Sequence, residues 1–254
     1  MKAWRALRQP AWTHDRATVS LDPEATVLQT NDLALGYGPI PVVSGLQLCV
    51  RAGELVALLG ANGAGKSTTI RGLAGELEPL EGSVTFLGQT ARSPLHLRAR
   101  RGLALVPEER SVIMGLTVRD NLRLGAGGVA GALEYGPELA ALLDRPAKLL
   151  SGGELQILAL SRALASKPRL FLADELSLGL APLAVERLLT ATRKAADEGV
   201  AVLLVEQHVR SALSVADRIY VMRRGRIVLE GAAADLASRT DEIEMAYLAA
   251  EGAQ

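Results

Sequence analysis

Three uninterrupted apolar runs, at 55–59, 170–173 and 200–205, stand out along the 254-residue chain. Runs of this length without alternation are typical of strands whose two faces are both covered, as in a parallel sheet flanked by helices. A fourth short run, 103–106, ends at Pro107. The pattern therefore predicts an α/β fold with these four strands at its centre.

Segments of more mixed character predict the remaining strands, at 27–35, 46–50, 83–87, 219–222 and 226–229. The first three are bounded by Gly, Pro or Glu and flank the run at 55–59, so we expect an antiparallel sheet beside that strand. The last two surround a short Arg-Arg-Gly turn, which predicts a hairpin.

The spacing of apolar residues predicts helices at 69–77, 150–164, 184–198 and 234–249. Segment 134–148 also reads as helical, although Pro137 and Pro146 interrupt it. The glycine- and alanine-rich segment 125–131 predicts a loose linker. We interpret residues 110–165 as a helical subdomain inserted into the α/β core.

Composition limits the classes of function. Lys and Arg together number 28, as do Asp and Glu, so no global basic field recruits nucleic acid. No apolar run approaches the ~20 residues of a membrane-spanning helix. The single cysteine, Cys49, excludes an intrachain disulfide and favours a reducing compartment. We therefore expect a soluble protein that is attached to a membrane only through partners.

Residues 1–25 differ in character from the rest of the chain. They contain both tryptophans, Trp4 and Trp12, with four basic residues and Pro10. A basic membrane-surface segment or a transit peptide would share this composition. Weak apolar periodicity favours a flexible extension, and we expect the main domain over 26–254.

The strand at 55–59 runs directly into a loop of Gly60, Ala61, Asn62, Gly63, Ala64, Gly65, Lys66, Ser67 and Thr68. This loop matches the phosphate-binding pattern G-x-x-x-x-G-K-S/T in its required strand-to-helix context. Glycines let backbone N–H groups turn towards the β- and γ-phosphates. Lys66 places an ammonium between those phosphates, Ser67 offers a hydroxyl to Mg²⁺, and Thr68 reaches the α-phosphate. A glycine-rich turn with an accidental lysine is the alternative.

Two further stretches carry chemistry that suits a nucleotide site. The sequence Ser-Gly-Gly-Glu at 151–154 opens a helix, where free N–H groups and a hydroxyl form a second anion site. Asp174 and Glu175 end the strand at 170–173, where one carboxylate can meet Mg²⁺ and the other can polarise water. A helix N-cap is the alternative interpretation of this acidic pair.

Tyr37 lies between Gly36 and Gly38, 23 positions before the phosphate-binding loop. Only 3% of the residues are aromatic, so an aromatic side chain held between glycines is a candidate stacking surface for adenine. A tyrosine that packs against its own turn is the alternative.

In this order and spacing, the phosphate-binding loop, the stretch at 150–156 and the acidic pair resemble the nucleotide-binding subunits of ABC transporters. The resemblance covers residues 27–248, and Leu-Ser-Gly-Gly-Glu is the signature of that family. Finer features resemble the ATPases of branched-chain amino acid importers, at 106–110, 177–182 and 204–207. The resemblance implies the fold of a P-loop NTPase of the ABC ATPase type, with an antiparallel β subdomain and an inserted helical subdomain.

The resemblance also implies a dimer that encloses two ATP molecules, with the signature of one subunit facing the γ-phosphate at Lys66 of the other. The implied nucleotide-binding residues are Tyr37, Gly60, Asn62, Gly63, Ala64, Gly65, Lys66, Ser67, Thr68, Ser151, Gly152, Gly153 and Glu154. The implied Mg²⁺ ligands are Ser67, Glu108 and Asp174. Glu175 is implied as the general base, with Gln207 or His208 at the γ-phosphate. Residues 177–179 are implied to signal between the two sites.

Three positions depart from the broad family pattern. Glu108 stands where most members have glutamine, although a carboxylate oxygen can face Mg²⁺ as an amide oxygen does. Gln207 occupies the usual position of a histidine, and its amide can donate a hydrogen bond but carries no charge. This predicts slower turnover unless the adjacent His208 substitutes. Leu176 replaces a common proline, which predicts a looser turn at Glu175.

The leading hypothesis is therefore a Mg²⁺-dependent ATPase that drives an ABC importer for branched-chain or similar amino acids. The implied partners are integral-membrane permease subunits, a second identical or related ABC ATPase and, indirectly, an extracytoplasmic solute-binding protein; no nucleic acid is expected. The implied location is peripheral, on the cytoplasmic face of the inner or plasma membrane. Alternatives are an ABC ATPase for urea, short amides or lipid export, a non-transport ABC protein acting on nucleic acid or the ribosome, and an ATP clamp with little turnover.

Overall fold

A computed structural model describes residues 25–109, 111–239, 243 and 245. The extension predicted for residues 1–25 lies outside the described residues, apart from Ala25. Most of the helix predicted for 234–249 also lies outside them, as does Arg110 in the importer-like stretch 106–110. Within the described residues no helix is both long and apolar enough to cross a bilayer.

The described residues form strands and helices that alternate along the chain. The strands are β1 (Thr26–Tyr37), β2 (Ile40–Leu46), β3 (Cys49–Arg51), β4 (Leu55–Leu59), β5 (Glu81–Phe86), β6 (Gln89–Thr90), β7 (Leu103–Val106), β8 (Leu170–Asp174), β9 (Ala201–Glu206), β10 (Arg218–Arg223) and β11 (Arg226–Ala232). The α-helices are α1 (Lys66–Ala74), α2 (Leu95–Arg100), α3 (Val118–Arg123), α4 (Gly128–Leu133), α5 (Gly152–Leu164), α6 (Pro182–Asp197), α7 (Val209–Leu213) and α8 (Ala233–Ala237).

A six-stranded sheet forms the centre of the fold, in the order β11, β10, β4, β9, β8, β7. Its strands pair in parallel except for β10 and β11, which form the predicted hairpin. All residues of β4, β8 and β9 are buried, as the uninterrupted apolar runs predict. The loops that follow these three adjacent strands leave the sheet at its carboxyl edge, where open α/β sheets bind ligands.

A second, antiparallel sheet has the order β2, β1, β5, β6, and β3 also pairs with β1. The predicted single strand at 46–50 is wrong, because β2 ends at Leu46 and β3 begins at Cys49. The Thr30 hydroxyl explains this break, since it donates to the Leu46 carbonyl oxygen and accepts from the Leu48 amide, both at 2.8 Å. The mixed fold class, with its antiparallel sheet, is confirmed.

Between β7 and β8 the described residues are helical, with α3, α4, α5 and two 3₁₀ turns at Pro137–Leu142 and Ala147–Leu149. The loose linker predicted at 125–131 is wrong. A Cβ at Gly127 would lie 1.9 Å from the Ala165 carbonyl oxygen, so glycine there allows α4 to pack closely on the end of α5. The helical segment predicted at 134–148 is interrupted at both prolines, as expected: one 3₁₀ turn begins at Pro137 and the other begins directly after Pro146.

Helix α1 begins at Lys66 and ends at Ala74, three residues earlier than predicted at either end. Gly65 forms its N-cap with a φ of 107°, and Gly75 stops it with a φ of 89°. Both angles lie in the left-handed region that side chains disfavour, so these glycines fix the two ends of the helix. The helix therefore starts at the lysine of the phosphate-binding loop.

The C-terminal end of α1 is anchored by Arg98, which is 1% exposed. Its guanidinium donates to the carbonyl oxygens of Gly72 at 3.3 Å, Leu73 at 2.6 Å, Ala91 at 2.6 Å and Ser93 at 2.8 Å. The carbonyl oxygens at a helix C-terminus carry partial negative charge, so a buried cation there stabilises the helix. Burial lowers the pKa of Arg98, and repulsion from Arg101 lowers it further.

Replacing Arg98 with alanine should lower the free energy of unfolding by about 3 kcal/mol, because buried carbonyl oxygens lose their charged donor. The exposed neighbour provides a matched control, and Arg100→Ala should change stability by less than about 0.5 kcal/mol. Urea unfolding followed by circular dichroism measures both variants. Equal stability of the two variants would show that Arg98 does not anchor α1.

Candidate active site

The loop between β4 and α1 closes around the side chain of Lys66, which is 4% exposed. The ammonium donates to the carbonyl oxygens of Gly60 at 2.8 Å and Ala61 at 3.2 Å. Gly63 and Gly65 adopt φ angles of 78° and 107°, which side chains rarely adopt. The loop is thus a tight turn whose shape depends on glycine, as the phosphate-binding pattern predicts.

Three side chains from adjacent strand ends meet beside this loop. Lys66 Nζ lies 3.4 Å from Glu175 Oε1, and Gln207 Nε2 donates to the same oxygen at 2.8 Å. These residues follow β4, β8 and β9, and β9 lies between the other two strands. The predicted general base is therefore in contact with the predicted phosphate-binding lysine and with the amide at the histidine position.

The turn that carries Glu175 is held from two directions. Glu175 has a φ of 49°, a conformation that costs on the order of 1 kcal/mol for a residue other than glycine. Its amide donates to the Val205 carbonyl oxygen at 2.9 Å, which extends the pairing of β8 with β9 beyond Asp174. Leu176 is 1% exposed and packs in the apolar core, so burial of its side chain anchors this turn.

Asp174 offers a carboxylate oxygen that suits a divalent cation. It is 6% exposed, and its Oδ1 is buried without a hydrogen-bond partner among the described residues. Burial raises the pKa of Asp174 to about 6; repulsion from Glu175 and Glu108 adds to the rise, whereas a hydrogen bond from Ser67 opposes it. A buried carboxylate oxygen without a donor, beside a hydroxyl, fits the oxygen ligands that Mg²⁺ prefers.

Two of the residues predicted to bind the metal, Ser67 and Asp174, are therefore in contact, and the exposed Glu108 is near enough to raise the pKa of Asp174. The described residues contain no group of three or more Asp, Glu, His or Cys side chains that could hold a metal unaided. This is compatible with Mg²⁺, which usually keeps several waters and takes further oxygen ligands from substrate phosphates.

The predicted second anion site lies at the start of α5. Ser151 is the N-cap, and its Oγ accepts from the Glu154 amide at 3.3 Å while Glu154 Oε2 accepts from the Ser151 amide at 2.7 Å. These bonds make a capping box and lower the pKa of Glu154. A Cβ at Gly153 would lie 2.8 Å from the Ala184 Cβ, so this glycine allows close packing on α6. Within the described chain, none of the hydrogen bonds made by the Ser151 and Glu154 side chains reaches the phosphate-binding loop.

Tyr37 lies at the end of β1 and is 50% exposed. Its hydroxyl accepts a hydrogen bond from Arg71 of α1 at 3.3 Å. The side chain is thus tied to the helix that follows the phosphate-binding loop, and half of its surface is open to a ligand. Adenine stacking on Tyr37 stays a prediction.

A buried carboxylate that the sequence analysis did not select lies behind the site. Glu206 ends β9 and is 1% exposed, and the Ser177 amide and hydroxyl donate to its two oxygens at 3.1 and 2.6 Å. Ser177 Oγ also lies 3.3 Å from His208 Nδ1. Of the two adjacent candidates at the γ-phosphate, Gln207 therefore contacts Glu175 and His208 contacts Ser177. The signal for Glu206 was present in the sequence as a charge that ends a wholly apolar strand.

Comparisons with known proteins agree with this geometry. The family model for the ABC transporter matches residues 43–177, more than half of the chain. The chain is 38% identical over 232 residues to the high-affinity branched-chain amino acid transport ATP-binding protein BraG of Pseudomonas aeruginosa, covering 87% of this chain and 99% of BraG. It is 31% identical over 240 residues to the lipopolysaccharide export system ATP-binding protein LptB of Escherichia coli, covering 87% and 96%.

Solved structures share the fold. The ATP-binding subunit of an ABC transporter is 30% identical with a TM-score of 0.74, and the match covers 87% of this chain and 98% of that chain. The region that matches this structure is larger than the region that matches the family model, so the likeness extends beyond residues 43–177.

If Asp174 holds the metal, Asp174→Asn should reduce the gain in ATP affinity that Mg²⁺ provides by about 10-fold, or about 1.4 kcal/mol. Binding of ATP in the presence of a chelator should not weaken, because the loss of the carboxylate charge removes repulsion of the phosphates. Titration with a fluorescent ATP analogue, with and without Mg²⁺, measures both quantities. Asp144→Asn at an exposed site is the control, and an identical Mg²⁺ response of both variants would remove Asp174 from the ligand set.

Proposed function

The chain belongs to the ABC transporter family, and from this membership we propose that it is the ATP-hydrolysing motor subunit of an importer for branched-chain or similar amino acids. The observation that carries the ATPase assignment is the contact of Lys66 and Gln207 with one oxygen of Glu175. Their placement at adjoining strand ends supports a site built to hold a γ-phosphate beside a base.

In this proposal the phosphates of ATP lie along the glycine-rich loop, on its backbone N–H groups and on the Lys66 ammonium. Ser67 and Asp174 would hold Mg²⁺, which neutralises phosphate charge when bound. Glu175 accepts a proton from the attacking water, and the amide of Gln207 orients its carboxylate. The Gln207 amide orients this carboxylate by a hydrogen bond and, unlike a protonated histidine, adds no positive charge.

The exposed start of α5 supports a site that is completed by a second subunit. Ser151 accepts a hydrogen bond at Oγ but keeps its own hydroxyl proton to donate, and the amides of Gly152 and Gly153 precede the first intrahelical hydrogen bond. We propose that these donors face the γ-phosphate bound by another ABC ATPase subunit, identical or related. Two subunits then enclose two ATP molecules, and neither site is complete alone.

The choice of solute rests on the relatives. BraG is named for branched-chain amino acid transport, and almost its whole length matches this chain, which favours amino acid import. The likeness to LptB keeps lipopolysaccharide export as a second candidate. In either case the solute is met by membrane partners rather than by this chain.

The helical region presents an apolar surface that suits a permease. Ile113 and Met114 are 48% and 45% exposed, and Leu149 is 54% exposed. The Lys148 amide donates to the Met114 carbonyl oxygen at 3.2 Å, which brings Leu149 close to Ile113 and Met114. In the sequence, Ile113 and Met114 follow Glu108 by only a few positions. Clustered apolar exposure marks protein interfaces. We propose that integral-membrane permease subunits bind here and hold the protein at the cytoplasmic face of the membrane.

Replacing the proposed base tests the ATPase assignment. Glu175→Gln should lower the rate of ATP hydrolysis at least about 100-fold, because the amide cannot accept the proton. ATP affinity should stay within about threefold. Phosphate release and equilibrium nucleotide binding measure the two effects, with the exposed Glu230→Gln as the control. Hydrolysis at the wild-type rate by Glu175→Gln would exclude this residue as the base.

Replacing Met114 tests the permease surface. The tagged wild-type protein, isolated from native membranes in mild detergent, should retain polytopic membrane proteins and a second ATPase, identified by mass spectrometry. Met114→Asp should lose most of them, because a charge cannot enter an apolar interface without a partner.

The matched control is Val228→Asp, which alters a residue of similar exposure on β11. This variant should keep the membrane partners. Recovery of the wild-type protein with ribosomal or nucleic-acid partners, and without membrane proteins, would overturn the transport assignment.

A further inference from the structure

Glu206 is a carboxylate in a position where burial is costly. It is 1% exposed, follows a strand of five apolar residues, and has no Lys or Arg ion-pair partner within the described residues. A buried charge without a cation costs several kcal/mol, so an apolar side chain would serve the stability of the sheet better. The carboxylate therefore needs an explanation beyond packing.

Ser177 donates to both oxygens of Glu206, and the backbone amide of Gln207 donates to the same carboxylate. Oε1 accepts from the Ser177 amide at 3.1 Å, and Oε2 accepts from the Ser177 hydroxyl at 2.6 Å. Burial raises the pKa of Glu206, and the donors of Ser177 oppose that rise. Hydrogen bonds to a carboxylate are about twice as strong as neutral ones. Glu206 thus binds Ser177, the first residue of the loop at 177–179.

The direction of these bonds fixes the role of His208. The only proton of the Ser177 hydroxyl goes to Glu206, so the 3.3 Å contact with His208 Nδ1 has the imidazole as donor and the serine as acceptor. The chain of donation runs from His208 through Ser177 to Glu206. This order differs from that of a nucleophilic serine, which would give its proton to the histidine.

The backbone of Glu206 connects the contact between Glu206 and Ser177 to the active site. Glu206 pairs with Leu59, the last residue of β4 before the phosphate-binding loop. The preceding residue, Val205, accepts from the Glu175 amide at 2.9 Å, and the following residue, Gln207, contacts the Glu175 side chain. The segment of residues 175 to 177 is therefore attached to the end of β9 at both of its ends.

On its outer side the loop faces open space. Ser177, Gly179 and His208 line a cavity of about 740 Å³, together with residues of α6 and α7. The loop could move into this cavity without displacing packed side chains of the core. Apart from the loop's own backbone bonds, from Leu178 to Glu175 and from Leu180 to Ser177, the hydrogen bonds to Glu206 oppose this displacement.

We propose that Glu206 is a positioning residue, whose carboxylate holds Ser177 and thereby fixes the loop at 177–179 relative to Glu175 and Gln207. This inference rests on the proposed ATPase for its kinetic consequence, but its structural consequence does not depend on ATP hydrolysis. When the contact between Glu206 and Ser177 is lost, the loop is free to move into the cavity, and segment 175–177 keeps the bond from Glu175 to Val205 and the burial of Leu176.

Two variants test whether the hydrogen bonds between Glu206 and Ser177 hold the loop. Glu206→Leu removes both acceptors in an apolar environment, where exchange of a buried charge for a similar hydrophobic side chain is often neutral for folding. Glu206→Gln keeps the shape and one acceptor oxygen. Hydrogen exchange followed by mass spectrometry should show about 10-fold faster exchange of the amides at 177–180 in the leucine variant, which corresponds to about 1.4 kcal/mol. The glutamine variant should show a smaller increase, and the amides of the phosphate-binding loop should not change in either.

The kinetics of ATP hydrolysis distinguish a positioning role of Glu206 from a role in stability alone. We expect kcat for ATP hydrolysis to fall about 10-fold in Glu206→Leu with KM within about twofold, because the nucleotide contacts are intact. Ser177→Ala should lower kcat less when it is added to the Glu206→Leu variant than when it is made in the wild-type protein, since the two residues act through one contact. The exposed Glu230→Leu is the control for the loss of a carboxylate.

Unchanged exchange at 177–180, or an equal increase throughout the molecule, would overturn the proposal. Faster local exchange with unchanged kcat would also overturn it, because the loop would then move without affecting catalysis. Absence of ATP hydrolysis in the wild-type protein would contradict the proposed function instead, and the exchange measurement would still decide whether Glu206 holds the loop.

Discussion

The parallel pairing of β4, β9 and β8 is the constraint on which the site depends. Its register sets Leu59 opposite Glu206 and Asp174 opposite Val205, so the three loops begin at nearly the same level. A shift of one residue in either pairing would displace one loop by about 3.3 Å along its strand relative to its neighbours. The apolar residues of these strands thus fix the geometry of the charged side chains at and beyond the strand ends.

Four charged side chains are buried in or beside the core, and each is compensated differently. The Lys66 ammonium lies against two carbonyl oxygens and Glu175. Arg98 is surrounded by carbonyl oxygens at the far end of α1, and Glu206 accepts hydrogen bonds from Ser177 and from the Gln207 amide. Among these four charged side chains of the described residues, Asp174 is the one that keeps a buried oxygen without a hydrogen-bond partner. That difference marks Asp174 as the position that requires a cation from outside the protein.

The sequence predicts this edge of the sheet well because its signals are local. Uninterrupted apolar runs identify β4, β8 and β9, and the phosphate-binding pattern identifies the loop before α1. The predictions fail where packing overrides local preference. The glycines at 125–131 read as a linker, but close contact of Gly127 with Ala165 makes them part of a helix pair. The break after Leu46 depends on a hydroxyl 16 residues away, which no local pattern reports.

The charge of the site explains why its polar residues must be placed so closely. One lysine faces the carboxylates of Asp174, Glu175 and Glu108, and Gln207 adds no charge where a histidine could. An ATP tetraanion brought to this edge meets repulsion that Lys66 alone does not offset. The backbone N–H groups of the loop, the dipole of α1 and Mg²⁺ must supply the difference. Nucleotide binding without the metal is therefore expected to be weak, and the contact that orients Glu175 becomes productive only once the phosphate charge has been neutralised.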